Sequence, residues 1–236
     1  MDIQSLLALQ TEDSHYRALQ NELKVLLPQR RAEAKARLQA ARDAVEQATR
    51  ENEAAARTYN RFQEDYNRHR AQMQRAERNA IGMTNARALE AAQREHAAAQ
   101  AESERSAGAA AEAKGYVTPT ERKLDEARAF EAEEEIAVQA IYDAIDERKA
   151  QVEAAAQEAK ARCEAAETAV DPELLAYYSR LKLTRWPCVV TYDRSRNVCT
   201  GCNLIQPQSV TQAVLTAERN PAGAFVRCPS CGRILI

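Results

Sequence analysis

Residues 45–85 read VEQATRENEAAARTYNRFQEDYNRHRAQMQRAERNAIGMTN. Along them one stripe returns at alternating steps of three and four: Val45, Ala48, Asn52, Ala55, Tyr59, Phe62, Tyr66, His69, Met73, Ala76 and Ala80. The positions between are mostly Arg, Glu, Gln and Asn. This is an a/d heptad seam, the pattern that winds two helices together. It stops at Ile81-Gly82-Met83-Thr84-Asn85, where Gly82 can take a left-handed cap conformation and Thr84 or Asn85 can cap a new helix. Residues 81–86 therefore read as a hairpin tip, with arms at 3–80 and 86 to about 170. Arms of matched length suit an antiparallel intramolecular coiled coil, each ~110 Å at ~1.5 Å per residue.

Working outward, a second seam runs Val138, Ile141, Ile145, Arg148, Val152, Ala155, Ala159, Arg162, Ala166, Ala169, and a short one holds Leu9, Tyr16, Leu19, Leu23 and Leu26. Pro28 lacks an N–H and clashes with the preceding turn, so a kink is expected there. Lys114-Gly115-Tyr116-Val117-Thr118-Pro119-Thr120-Glu121 breaks the second arm, and an irregularity is expected near 114–120. A rival layout turns the hairpin at this point, with arms of about 110 and 50 residues; the tip near 82–85 is preferred because its arms match. His69 and His96 both fall on seam positions. Two ligands are too few for a metal, and polar seam residues that set register are the expected reading.

Composition agrees with helices. Ala makes up roughly a fifth of the 236 residues, aromatics are 5% and charged residues 29%. Six Gly and seven Pro are too few for an all-β chain. From Asp171 onward there are eight Lys/Arg against four Asp/Glu, a charge of +4; the preceding part carries 25 against 31, or −6. Met1-Asp2-Ile3-Gln4 has no basic run before an apolar one, and no apolar stretch approaches the ~20 residues of a membrane span. A cytoplasmic protein is expected.

Five of six cysteines, at 188, 199, 202, 228 and 231, fall in the last fifth of the chain. Asp171-Pro172-Glu173 starts a short helix, Pro187–Tyr192 is β-rich, and then come Cys199-Thr200-Gly201-Cys202 and Cys228-Pro229-Ser230-Cys231-Gly232. Two residues between cysteines let a tight turn aim both sulfurs at one ion, and Gly201 and Gly232 suit such turns. Two CxxC pairs give four thiolates, so Cys199, Cys202, Cys228 and Cys231 are read as ligands of one structural zinc. Sulfur-only ligation also suits iron, and zinc is the default. Cys188 is expected to be a small buried residue, and Cys163 lies beside the seam with no assigned role. The apolar residues Val189, Val190, Leu204, Ile205, Val210, Val214, Leu215, Phe225, Val226, Ile234 and Leu235 are the core available to this end.

The sequence is thus read as mainly α: a long kinked antiparallel coiled-coil hairpin (1–170) followed by a short helix and a small β zinc ribbon (171–236). A long hairpin, then Tyr178-Ser179-Arg180-Leu181-Lys182, then CTGC at 199–202 and the closing CPSCGRILI at 228–236, resembles the bacterial family of coiled-coil proteins with a carboxyl-terminal C4-type zinc ribbon. The resemblance implies no enzymatic activity. It implies nucleic-acid binding, or association with the alternative sigma factor sigma-54 and with flagellar or type III secretion proteins.

No Gly-rich phosphate loop, G-x-S-x-G or HExxH is present, and the three His (15, 69, 96) all lie on the arms. A non-enzymatic adaptor binding protein partners through the coiled coil and ribbon is the expected function. The alternative is RNA or DNA binding by the ribbon, with Lys182, Arg185, Arg194, Arg196, Arg227 and Arg233 as contacts and Trp186 and Tyr192 for stacking. Four thiolates with Zn²⁺ bring the ribbon's +4 to about +2, modest for a dedicated nucleic-acid binder. The narrow Ala seam also offers a surface for a homodimer.

Overall fold

The structure, a computed structural model of the chain, describes residues 3–219 and 225–236. Met1 and Asp2, part of the amino-terminal reading above, lie outside them. Two compact units are formed, one by Arg31–Asp143 and the other by Met1–Arg30 together with Ala144–Ile236. No helix among the described residues is long and apolar enough to cross a membrane.

In the unit Arg31–Asp143, helix α2 (Leu27–Ala80) and helix α3 (Ala86–Thr168) run antiparallel on either side of the turn at 81–85. Asn85 caps α3 through its side-chain oxygen, which accepts from the N–H groups of Arg87 and Ala88 at 3.0 and 3.3 Å. Every seam residue from Val45 to Ala80 is buried or half-buried, and the stripe extends back through Ala34, Leu38 and Ala41. The facing stripe of α3 continues through Ala92, His96, Ala99, Ser103, Ala110, Ala113, Val117, Thr120 and Leu124. The two helices are cross-tied by Arg37–Glu134 at 2.8 Å, Arg42–Glu135 at 3.3 Å and Lys123–Glu51 at 3.6 Å. These exposed pairs select register more than they stabilise. The same register sets His69 beside Ala98, Ala99 and Glu102 around an open cleft that His96 does not line.

The expected irregularity at 114–120 does not occur: α3 is helical straight through Pro119. The seam explains why. Ala113, Val117, Thr120 and Leu124 all face inward while Pro119 lies on the exposed side, so heptad packing holds the segment in register. The hydroxyl of Thr120 also donates to the carbonyls of Tyr116 and Val117, at 3.1 and 2.8 Å. Pro119 still costs a backbone hydrogen bond. Pro119→Ala is expected to raise the stability of the hairpin by about 1–3 kcal/mol, read as a higher melting temperature by circular dichroism.

In the other unit, helix α1 (Ile3–Asn21) leads into a π-helical turn (Glu22–Leu26), and α2 resumes at Leu27. The interruption expected at Pro28 is this wider turn placed just before it, in which the Leu27 N–H donates to the Glu22 carbonyl. Leu26, placed in the short seam by the sequence, is exposed, and Leu27 is buried in its stead. On α3, Arg148 and Arg162 sit on the flank, not in the seam. They pair across to Glu22 at 2.7 Å and Glu12 at 2.9 Å, while Val152, Ala156, Ala159 and Cys163 fill the interior.

Helix α4 (Pro172–Lys182) opens on Asp171, whose carboxylate accepts from the N–H groups of Glu173 and Leu174. Beyond it lie β1 (Val189–Val190), β2 (Tyr192–Asp193), β3 (Val198–Cys199), helix α5 (Gln208–Arg219), β4 (Val226–Arg227) and β5 (Ile234–Leu235). The strands form one sheet in the order β1-β5-β4, with β1 and β5 parallel, and a separate β2-β3 hairpin. One core joins Leu6 and Leu9 of α1, Cys163, and Leu174, Tyr178 and Leu181 of α4 to Cys188, Val189 and Ile234. Gln10 bolts α1 to β1: its side-chain oxygen accepts from Cys188 and Val189 at 2.8 and 2.7 Å, and its amide donates to the Val189 carbonyl at 2.9 Å.

Candidate metal centre

Two short turns carry the four cysteines. In the first, the Asn203 N–H donates to the Cys199 carbonyl at 2.8 Å; in the second, the Gly232 N–H donates to the Cys228 carbonyl at 2.8 Å. Each turn closes on a left-handed residue, Asn203 at φ 57° and Gly232 at φ 76°. Asn tolerates this conformation better than other side chains. The first knuckle therefore draws its positive φ from Asn203, not from Gly201 as the sequence reading had it.

Gly201 is needed for space. A Cβ there would lie 2.4 Å from Cδ of Arg233 and 3.1 Å from Cγ1 of Val190. Arg233 is held in place by the carbonyls of Pro187 and Trp186, at 2.8 and 3.3 Å, so it cannot simply swing away. Gly201→Ala is expected to cost about 1–3 kcal/mol of ribbon stability and to lower zinc affinity in competition with a chromogenic chelator.

The two knuckles meet face to face. The four sulfurs lie within 4.8 Å of one another, with Cys199–Cys231 and Cys202–Cys228 each 3.8 Å apart. Cys199 and Cys228 are buried, and Cys202 and Cys231 are half-buried. Burial pushes the Cys199 thiol up to about 12, against backbone N–H groups of Gly201 and Cys202 that favour its thiolate. Burial likewise raises Cys228. At Cys231 burial acts in the same direction, but hydrogen bonds from the backbone N–H and side chain of Arg233 and from the Cys228 and Cys202 thiols together outweigh it, and the thiol falls to about 7. Thiols this close gain their charge fully only when a cation compensates it. The donor set fits tetrahedral Zn²⁺: four sulfurs, backbone N–H groups aimed at them, and no position left open. This is a C4 site for one zinc ion.

Cys188 takes no part. Its thiol donates to the Arg185 carbonyl at 3.3 Å and is raised to about 11, chiefly by burial. Cys163 is buried in the same core and raised to about 11, again chiefly by burial.

The basic residues picked out from the sequence are mostly engaged. Lys182 pairs with the buried Asp13, Arg194 with Glu218, and Arg196 with Asp193 at 2.6 Å. Arg227 lies over the rings of Tyr177 and Phe225, and Arg233 braces the knuckles. Arg185 is exposed and its side chain has no partner among the described residues. Trp186 is covered by Arg17 at 4.1 Å, and Tyr192 is buried with its hydroxyl 2.7 Å from that of Thr211. Leu204 and Ile205, counted above as core, are exposed. Asn203, Gly201 in its spatial role and Gln10 were not identified from the sequence.

Residues 198–235 match the family model of the C4-type zinc ribbon domain. No curated protein matches the chain. Among solved structures, the CT398 protein from Chlamydia trachomatis is similar at a TM-score of 0.76 and 21% identity, over 98% of this chain and 95% of that one. A protein from Mycobacterium smegmatis gives 0.69 and 19%, over 99% and 96%. The HP0958 protein from Helicobacter pylori gives 0.62 and 16%, over 99% and 95%. At these identities the likeness is one of fold.

Proposed function

We propose that the chain is a non-enzymatic adaptor that binds macromolecular partners through its helical hairpin and its zinc ribbon. The observation that carries this reading is the closed donor set: four cysteine sulfurs within 4.8 Å leave zinc no site for water or substrate. The metal then serves to hold a small surface in shape. The resemblance to coiled-coil zinc-ribbon proteins makes sigma-54, or a flagellar or type III secretion component, the partner to test first. Nucleic-acid binding by the ribbon is the weaker reading, because Lys182, Arg194, Arg196 and Arg233 already hold intramolecular partners.

Affinity capture from the native host with the full zinc-loaded chain tests both. Recovery of sigma-54 or secretion proteins that survives nuclease supports the adaptor. Recovery abolished by ribonuclease or deoxyribonuclease, with a steep salt dependence, replaces it by nucleic-acid binding.

A further inference from the structure

The segment leaving the first knuckle forms an unfinished sheet edge. Val198 of β3 bridges antiparallel to Ile205. The flanking bonds run from the Cys199 N–H to the Leu204 carbonyl at 3.2 Å and from the Gln206 N–H to the Asn197 carbonyl at 2.7 Å. In that pattern Val198 and Ile205 are a non-hydrogen-bonded pair, so the N–H and C=O of Ile205 point away from β3. Neither has a partner among the described residues, and Ile205 is 78% exposed, with Leu204 beside it at 54%. Gln206 is buried, its amide donating to the Leu204 carbonyl and to Ser230 Oγ at 2.8 and 3.3 Å, which fixes the edge against the second knuckle. Edges of this kind are normally short, charged or covered. This one is short but carries two large apolar side chains and no charge over 203–206.

We propose that residues 203–206 are a docking edge that takes an extended apolar segment of a partner protein as an added strand. The occupant follows from the free groups. One outward donor and acceptor on a single residue pair with another extended backbone, and the apolar side chains on either side supply contact area. With zinc bound the ribbon keeps a charge of about +2, which favours a segment with acidic flanks over one with basic flanks. Pro207 lacks an N–H and ends the register at its far side. The proposal rests on the adaptor reading and names where that reading would act.

The test is selection of phage-displayed twelve-residue peptides on the full-length zinc-loaded chain. The expected peptides alternate β-branched or aromatic residues beside Asp or Glu, and their binding protects the Ile205 amide from hydrogen exchange. Ile205→Pro, which deletes the outward N–H together with the apolar side chain, weakens them about tenfold, and Ile205→Thr, which keeps the N–H, weakens them less. The exchange measurement uses the unaltered chain and so holds even if Ile205→Pro loses zinc. No enrichment of such peptides, an Ile205 amide that stays unprotected, or an edge occupied by a second copy of the chain would overturn the proposal. Protein capture that bypasses this edge would overturn it alone; capture of nucleic acid only would overturn the adaptor reading itself.

Discussion

Cys199→Ser or Cys228→Ser abolishes stoichiometric zinc and melts the structure beyond Val190, while α2 and α3 keep their helical signal. The reason lies in how the cores divide. Val190, Tyr192, Cys199, Val210, Val214, Cys228 and Leu235 form one cluster, which includes two of the four ligands. Its strands are two residues long each. So small a core cannot offset the conformational entropy of its chain. Structural zinc supplies about 10–16 kcal/mol in comparable small sites, more than the whole stability of many domains, so its loss is not survivable here. The neighbouring cluster, built on Leu6, Leu9, Leu174 and Tyr178, contains no ligand, and Arg31–Asp143, which hold most of α2 and the first part of α3, are a compact unit of their own. Chelation should reproduce the mutants. Acidification should do so too, because protonated thiols release zinc. Zinc content by elemental analysis, amide dispersion of residues 190–236 and ellipticity at the helical band separate the two regions. Parallel loss of helix and ribbon signals, or a zinc-free chain with ribbon dispersion intact, would contradict this account.

Much of this was legible because two local rules were strong. The heptad from Val45 to Ala80 needs only the sequence, and the cysteine spacing needs only the geometry of a two-residue turn. The rest failed where tertiary context overrode a local signal. Pro119 reads as a break, yet Val117 and Thr120 both stay on the seam, and packing along a long helix outweighs one missing N–H. Helix α5 is signalled in the sequence only by Val210 and Val214, at i,i+4 just after Pro207, a pattern too short to stand out from the β-rich segments around it. Gly201 looked like a turn residue, but its reason is Arg233, thirty-two positions away. Gln10 could not be found at all, since its partners lie near residue 188.

Asp13 is the clearest case of something sequence hides, and its removal is the second large effect expected. It sits on α1, 1% exposed, one place past the position that the seam from Leu9 to Leu26 would use, so the heptad spacing gives no sign that it is buried. Its carboxylate accepts from the Tyr178 hydroxyl at 2.8 Å and pairs with the ammonium of Lys182, both on α4. Burial drives the Tyr178 hydroxyl strongly upward, and its hydrogen bond to Asp13 adds to that, so it remains a donor at any ordinary pH. The Arg17 guanidinium donates to the Lys182 carbonyl at 2.8 Å and fixes the same corner. Asp13→Ala leaves a partly buried ammonium and a buried hydroxyl without an acceptor, and breaking a pair of this kind costs about 3–5 kcal/mol. Asp13→Asn keeps a hydrogen-bond acceptor for Tyr178 and should cost less. The decisive variant is Asp13→Leu with Lys182→Met, which replaces both charges by apolar groups. If the charges set specificity more than stability, the double variant recovers the part of the loss due to the unpaired ammonium, the Tyr178 hydroxyl still lacking an acceptor, and the coupling in a double-mutant cycle is large. Chemical denaturation of the zinc-loaded chain, followed by tryptophan fluorescence, reads it directly, because Trp186 lies under Arg17 at this corner. A single Asp13→Ala change costing less than about 1 kcal/mol, the range of an exposed pair, would show that water reaches the site and that α4 is not anchored to α1 by charge.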